Sequence, residues 1–142
     1  MRKRAMDLLS RREHAVAELS RKLIGKGFDK AFVDDALVQL VADGLLSDAR
    51  YAESYVRFRM NKGFGPVRIR EELRQRGVAN SLISDYVDFQ DRCWVETARQ
   101  AWQKRFGGEF PSDMKTCAKQ LQFLQYRGFT SDQTKHIFKD FN

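Results

Sequence analysis

Two prolines and nine glycines in 142 residues leave few points at which a helix must break. The two cysteines, Cys93 and Cys117, form no C-x-x-C pair, and two are too few for a disulfide scaffold. Both are expected to be reduced, helix-borne packing residues of a cytosolic protein. The only histidines, His14 and His136, stand far apart with no second ligand at a useful spacing, so a structural or surface role is expected and no metal site. No apolar run approaches the roughly 18 residues that span a membrane. Met1-Arg2-Lys3-Arg4 would suit the basic end of a signal peptide, but Asp7, Arg11, Arg12 and Glu13 interrupt any apolar segment behind it. A soluble, cytoplasmic chain is the expectation.

Catalytic patterns are equally scarce. The acidic pairs Asp34-Asp35 and Glu71-Glu72 are chain neighbours, and neighbours on a helix point about a hundred degrees apart, so neither pair converges on one substrate. Gly63-Phe64-Gly65-Pro66 lacks the lysine and hydroxyl of a phosphate-binding loop, and its proline removes an N–H that a phosphate would use. Nothing marks a nucleophile and base, and no cofactor motif is present. An enzyme is not expected.

What is present is helical periodicity. Hydrophobic residues make up 42% of the chain, enough for a packed core. Val33, Ala36, Leu37, Leu40 and Val41 lie at offsets 0, 3, 4, 7 and 8, one face of an α-helix. Similar stripes are Val16, Leu19, Leu23; then Tyr51, Tyr55, Phe58; then Trp94, Val95, Ala98, Ala101, Trp102. No stretch alternates with period two for long enough to make a strand. Short breaks divide the pattern. Gly25 and Gly27 end one helix and Asp29 caps the next; Asp43-Gly44 ends that one and Ser47 caps another. Pro66 fits a first helical turn, Gly107-Gly108 and Pro111-Ser112 mark a junction, and Thr130-x-x-Gln133 is a capping box.

The breaks repeat. Leu23-x-x-x-Gly27-Phe28, Leu73-x-x-x-Gly77-Val78 and Leu124-x-x-x-Gly128-Phe129 share one arrangement, each with a basic residue (Lys26, Arg76, Arg127) before the glycine. The glycines are 50 and 51 positions apart. Each is expected to leave its helix in the left-handed conformation, with the following apolar residue sealing the end. A period near fifty with three helices per period predicts an all-α fold of three tandem three-helix repeats, over 1–46, 47–91 and 92–142. About nine short helices are expected, in an elongated, curved array.

Charge follows the period. The chain carries 26 Lys and Arg against 19 Asp and Glu, a formal net charge of +7. Residues 1–30 hold 9 basic and 4 acidic side chains, residues 31–54 hold 1 and 5, and residues 55–79 hold 7 and 2. Residues 80–98 hold 1 and 4, and residues 99–142 hold 8 and 4. Such alternating stripes either neutralise one another between repeats or meet a long polyanionic partner at spaced points. In the helix after Pro66, Ile69 and Leu73 form the core side, and Arg68, Glu72 and Arg76 form an i, i+4, i+8 ladder. Arg70 and Arg74 share another flank, and Arg57, Arg59 and Lys62 precede them. With Arg127, these are the candidate contacts for phosphate or carboxylate, since arginine binds either in a fork. The plainer reading is a solvated face. Gly27, Gly77, Gly128 and Pro66 are the expected structural caps.

Read together, these residues resemble a family. Leu8-Leu9-x-Arg11-Arg12-Glu13-His14 with Glu18-Leu19 and Lys26-Gly27-Phe28 looks like the opening of RecX regulatory proteins. The middle is similar over Gly44-x-Leu46-x-Asp48-x-Arg50-Tyr51-Ala52 and Gly63-Phe64-Gly65-Pro66-x-Arg68-Ile69-x-x-Glu72-Leu73-x-x-x-Gly77-Val78, and Phe123-Leu124-x-x-Arg127-Gly128-Phe129 completes it. The resemblance implies three-helix units lying in the groove of a RecA–DNA filament. It implies inhibition of RecA strand exchange, ATPase and co-protease activities, no catalytic residues, and nucleic acid, single- or double-stranded, as a further contact. A monomer is expected. The family pattern usually has serine at the cap position held here by Ala15, and a second aspartate where this chain has Ser47. The competing reading is a general DNA-binding protein of helix-turn-helix type with basic helices on phosphates.

Overall fold

The periodic stripes become helices throughout. The computed structural model describes residues 1–138, and within them it has nine helices and no strand. They are α1 (Arg2–Arg11), α2 (Val16–Gly25), α3 (Lys30–Ala42), α4 (Asp48–Asn61), α5 (Pro66–Gln75), α6 (Asn80–Tyr86), α7 (Cys93–Phe106), α8 (Met114–Arg127) and α9 (Ser131–Thr134). The last four residues of the third expected repeat, 139–142, lie outside the described residues.

The three recurring glycines end their helices in one way. Gly27, Gly77 and Gly128 have φ of 97°, 83° and 103°. After each, the next N–H reaches back to the leucine carbonyl: Phe28 to Leu23 at 3.3 Å, Val78 to Leu73 at 3.1 Å, Phe129 to Leu124 at 3.2 Å. This closure satisfies carbonyls that a helix end would otherwise leave open. The same bond recurs after Gly44, from Leu45 to Leu40, and after Gly63, from Phe64 to Arg59.

N-terminal caps also follow the sequence. Asp29 accepts from the Ala31 N–H, Ser47 from that of Arg50, and Thr130 and Gln133 exchange bonds as a full box. After Pro111-Ser112, the cap of α8 is Asp113, which accepts from Thr116. At Ala15 the box is half made, because Glu18 accepts the Ala15 N–H but alanine has no acceptor to return. Help comes from elsewhere in the chain: Asp48 Oδ1 accepts the Val16 N–H at 2.8 Å. A carboxylate at a helix N-terminus also suits the helix dipole.

By packing, the chain forms two compact units, and α4 and α5 each contribute to both. The first comprises Met1–Tyr55 with Leu73–Tyr86. Its main cluster buries Ala5, Leu19, Leu23, Val33, Leu37, Leu40 and Leu46. The expected α3 face is narrower than its sequence stripe. Val33, Leu37 and Leu40 are buried, whereas Val41, a hundred degrees beyond Leu40, is 47% exposed. The Tyr51 stripe narrows likewise: Tyr51 is buried, but Phe58 is 55% exposed.

His14 is buried in this unit and fully bonded. Lys22 Nζ lies 3.0 Å from Nε2 and, as an ammonium, can only donate. The ring proton therefore sits on Nδ1 and is donated to the Arg12 carbonyl at 3.0 Å. Burial, with the Arg12 and Lys22 charges, holds His14 below the ordinary histidine range. Arg12 forks onto Glu18 at 3.1 and 2.7 Å, which outweighs burial and holds that carboxyl low.

The second unit comprises Val56–Glu72 with the chain from Val87 onward. It buries Ile69, Trp94, Ala98, Trp102, Leu124 and Phe129. Trp94 donates to the Asp88 carbonyl and Trp102 to Gln120, both at 2.8 Å, so neither indole N–H is left dry. Both cysteines are free thiols. Burial and the Asp91 carboxylate push the Cys93 thiol up to about 11, so it stays protonated.

Candidate functional site

The Gly63–Pro66 loop positions the most distinctive chemistry in the second unit. The Gly65 N–H donates to the Arg127 carbonyl at 2.8 Å, and the Val67 N–H donates to the Gly128 carbonyl at 2.9 Å. Pro66 has no N–H to give, so open donors at the start of α5 meet open acceptors at the end of α8. Two helix ends of opposite dipole sign thus cap one another. The approach needs both glycines. A Cβ on Gly65 would lie 2.5 Å from the Gly128 carbonyl group, and one on Gly128 would lie 2.6 Å from Arg68 Cβ.

That backbone docking gathers arginines around one ring. The guanidinium carbons of Arg59, Arg68 and Arg127 lie 3.8, 4.6 and 4.7 Å from the Phe64 centroid. Arg59 also forks onto Glu72, Nε to Oε1 and Nη2 to Oε2, both 3.0 Å. Arg68 Nε lies 3.5 Å from the same carboxylate. Of the expected Arg68–Glu72–Arg76 ladder, the Arg68–Glu72 rung is present; Glu72 is also forked by Arg59, and Arg76 lies over Tyr55. Arg59 engages both carboxylate oxygens with two donors at once, the stronger form of an arginine–carboxylate pair.

Arg127 joins the ring cluster to a cleft. Its Nη1 donates to the Lys62 carbonyl at 3.1 Å, and its guanidinium sits 4.9 Å from the Phe123 ring. Burial, and the charges of Arg68, Arg59 and Arg105, lower its proton affinity. The cleft beside it, about 380 Å³, is lined by Lys62, Gln100, Lys104, Arg105, Phe123 and Arg127 among others. None of its lining residues among those described is acidic.

Of the candidate contacts, Arg59, Lys62 and Arg127 are brought together here. Arg57 is exposed on α4, and Arg70 is exposed on α5 with its guanidinium 4.7 Å from the Phe89 ring. Arg74 is exposed and belongs to the first unit. Phe64, Lys104, Arg105 and Phe123 are not among the candidate contacts read from the sequence, although Phe64 and Phe123 stand in the motifs that carry the resemblance. The i, i+4 spacing of Phe123 and Arg127 was the available signal for one of them. Among the described residues no cluster of three metal-type ligands occurs, and no helix is long and apolar enough to cross a membrane.

Nine helices among the described residues, with recurring glycine closures and an arginine–aromatic cluster, define the class: a tandem three-helix-repeat protein. The comparisons make it specific. RecX first, second and third three-helix domains match residues 2–40, 47–86 and 95–138. "Regulatory protein RecX" of a Pseudomonas putida strain is 46% identical over 132 residues, 93% of this chain and 85% of its own length. That of Ectopseudomonas mendocina is 44% identical over 139 residues, 98% of this chain and 93% of its own. The crystal structure of RecX from Lactobacillus salivarius shares the fold, with a TM-score of 0.80 and 24% identity over 98% of this chain and 92% of that one. The chain belongs to the RecX family of regulatory proteins.

Proposed function

We propose that this chain binds the RecA–DNA filament and inhibits the recombinase, ATPase and co-protease activities of RecA, thereby regulating DNA repair and recombination. The observation that carries the reading is the ordered match of three RecX domains along the chain. It is not an enzyme, and it acts in the cytoplasm as a monomer without a cofactor. Its working units are the repeats over 1–46, 47–91 and 92–142. The basic side chains Arg57, Arg59, Lys62, Arg70, Arg74 and Arg127 serve the contact in two ways. The exposed Arg57, Lys62, Arg70 and Arg74 face the partner, while Arg59 and Arg127 hold the surface in shape through Glu72, Phe64 and the Lys62 carbonyl.

The test is a titration of the protein into RecA assembled on single-stranded DNA, following ATP hydrolysis, beside binding to the bare strand. Hydrolysis should fall in a saturable way as the protein is added. Unchanged hydrolysis, with tight and steeply salt-dependent binding to bare DNA alone, would favour a general DNA-binding protein instead.

A further inference from the structure

We propose that two copies of this chain dock head to tail, the α3 face of one copy on the α8 face of the other. On α3, Asp34, Val38 and Val41 lie at offsets 0, 4 and 7, a strip running beside the buried Val33, Leu37 and Leu40. Val38 is 71% exposed, and Val41 is exposed with it. Together with Val16, Asp34 and Leu37 they line a groove of about 410 Å³. On α8, Met114, Ala118 and Leu121 repeat the same offsets. Met114 is 70% exposed, Ala118 is exposed and Leu121 is half-buried. Phe110, just before this helix, is exposed as well. Apolar residues that run along a helix, instead of being scattered singly, mark a place where protein packs on protein.

The two strips carry opposite charge, and that chooses the occupant. Asp34 and Asp35 border the α3 strip, and residues 31–54 hold five acidic side chains against one basic. Lys115 and Lys119 each follow a member of the α8 strip by one position, so they run along its edge. Residues 99–142 hold eight basic side chains against four acidic. Asp34 is bridged by Lys30 at 2.7 Å, but both side chains are well exposed, and such a pair holds a carboxylate only weakly. It can turn to a cation of a docked copy. Met114 is unbranched and can follow the groove that Val38 and Val41 border. Pairing of like faces is disfavoured, since α3 on α3 sets acid against acid and α8 on α8 sets lysine against lysine. Both strips are exposed in the single chain, so neither is covered from within. A basic segment of another protein would suit the α3 face but would leave the α8 face without a partner. A second copy satisfies both.

This inference goes beyond the RecA reading and is tested without RecA. Two helix strips make a contact below the standard ~1,600 Å², so the dilute chain stays a monomer and pairing needs concentrated protein. Sedimentation equilibrium of the full chain at moderate salt should show an average mass that rises above one copy as concentration increases. Asp34→Lys with Asp35→Lys should weaken this association about tenfold or more, because like charges then face one another. Lys115→Glu with Lys119→Glu should weaken it as much, although it lowers the net charge of +7 by four and so reduces general repulsion between copies. An equimolar mixture of the two double variants should associate again, since the first keeps a native α8 face and the second a native α3 face. Circular dichroism and melting report whether each variant is folded, and Asp35→Lys with Lys119→Glu as separate single variants provide the milder pair if a double variant is not. A parent chain that keeps the mass of one copy at every concentration would overturn the proposal. So would a mixture that stays monomeric, or a lysine-reversed variant that associates more strongly than the parent.

Discussion

At the scale of single residues, glycine does two different jobs in this chain, and they carry different costs. Gly27 needs only its left-handed conformation, since a Cβ there would meet nothing within 4 Å. Gly27→Ala should therefore cost about 1–2 kcal/mol, the strain of a side chain in that region. Gly65 is not left-handed, but a Cβ there would strike the Gly128 carbonyl and break two inter-helix backbone bonds. Gly65→Ala should cost more than ~3 kcal/mol, the sum of a backbone clash and unsatisfied donors. Urea melts of the two variants rank them, and equal losses would mean that the α5–α8 docking is not tight. His14 gives the residue scale a pH signature. Its folded form holds a proton less readily than the unfolded chain, because of burial and the neighbouring charges of Arg12 and Lys22. As pH falls through about 6.5 the unfolded chain takes up a proton that the fold resists, so stability is full above that range and declines below it. Melting temperature should drop between pH 7.5 and 5.5, and His14→Gln should flatten the drop. An equally steep drop in the variant would place its source elsewhere.

At the scale of helices, the ends matter more than the propensities. The α2 N-terminus has alanine where a side-chain acceptor is wanted, and Asp48 compensates through the Val16 N–H. Asp48→Ala should cost about 1 kcal/mol, as loss of a cap does, and Ala15→Ser should recover part of it by supplying the missing acceptor to the Glu18 N–H. Thermal melts of the two single variants and the double variant measure this, and additive effects with no recovery would show that the two groups do not serve the same helix end. This is also where sequence reading reached its limit. The left-handed glycines, Asp29, Ser47 and the Thr130–Gln133 box are local features, visible because each bond joins residues within five positions. Asp48 to Val16, Arg59 to Glu72 and Gly65 to Gly128 join residues that only the folded chain brings together. The periodic stripes located α2, α3, α4, α5 and α7 but overstated the width of two faces, because Val41 and Phe58 share a stripe with core residues without sharing their burial.

At the scale of the whole chain, the formal charge of +7 gathers in basic segments separated by acidic ones, and the proposed RecA contact draws on the middle basic segment. Arg70 and Arg74 are exposed one turn apart on α5, while Ile69 and Leu73 of the same helix are buried. Reversal of both arginines removes no core packing. It forfeits the Arg70–Phe89 contact, worth roughly 0.5–1 kcal/mol at an exposed site. Losing charged anchors at an interface can cost ~2–5 kcal/mol when the partner groups become buried and unpaired. Arg70→Glu with Arg74→Glu should therefore fold, with a melting temperature within a few degrees of the parent, yet require a much higher concentration to inhibit RecA ATP hydrolysis. Arg68 and Arg59 substitutions should do the opposite, lowering stability through Glu72 and Phe64 before they alter any contact. The comparison is made at moderate salt, where an unsupported surface charge is screened and a docked one is not. If the α5 double variant inhibits as well as the parent, this helix is a solvated face, and the RecA contact belongs to the basic first or third segment.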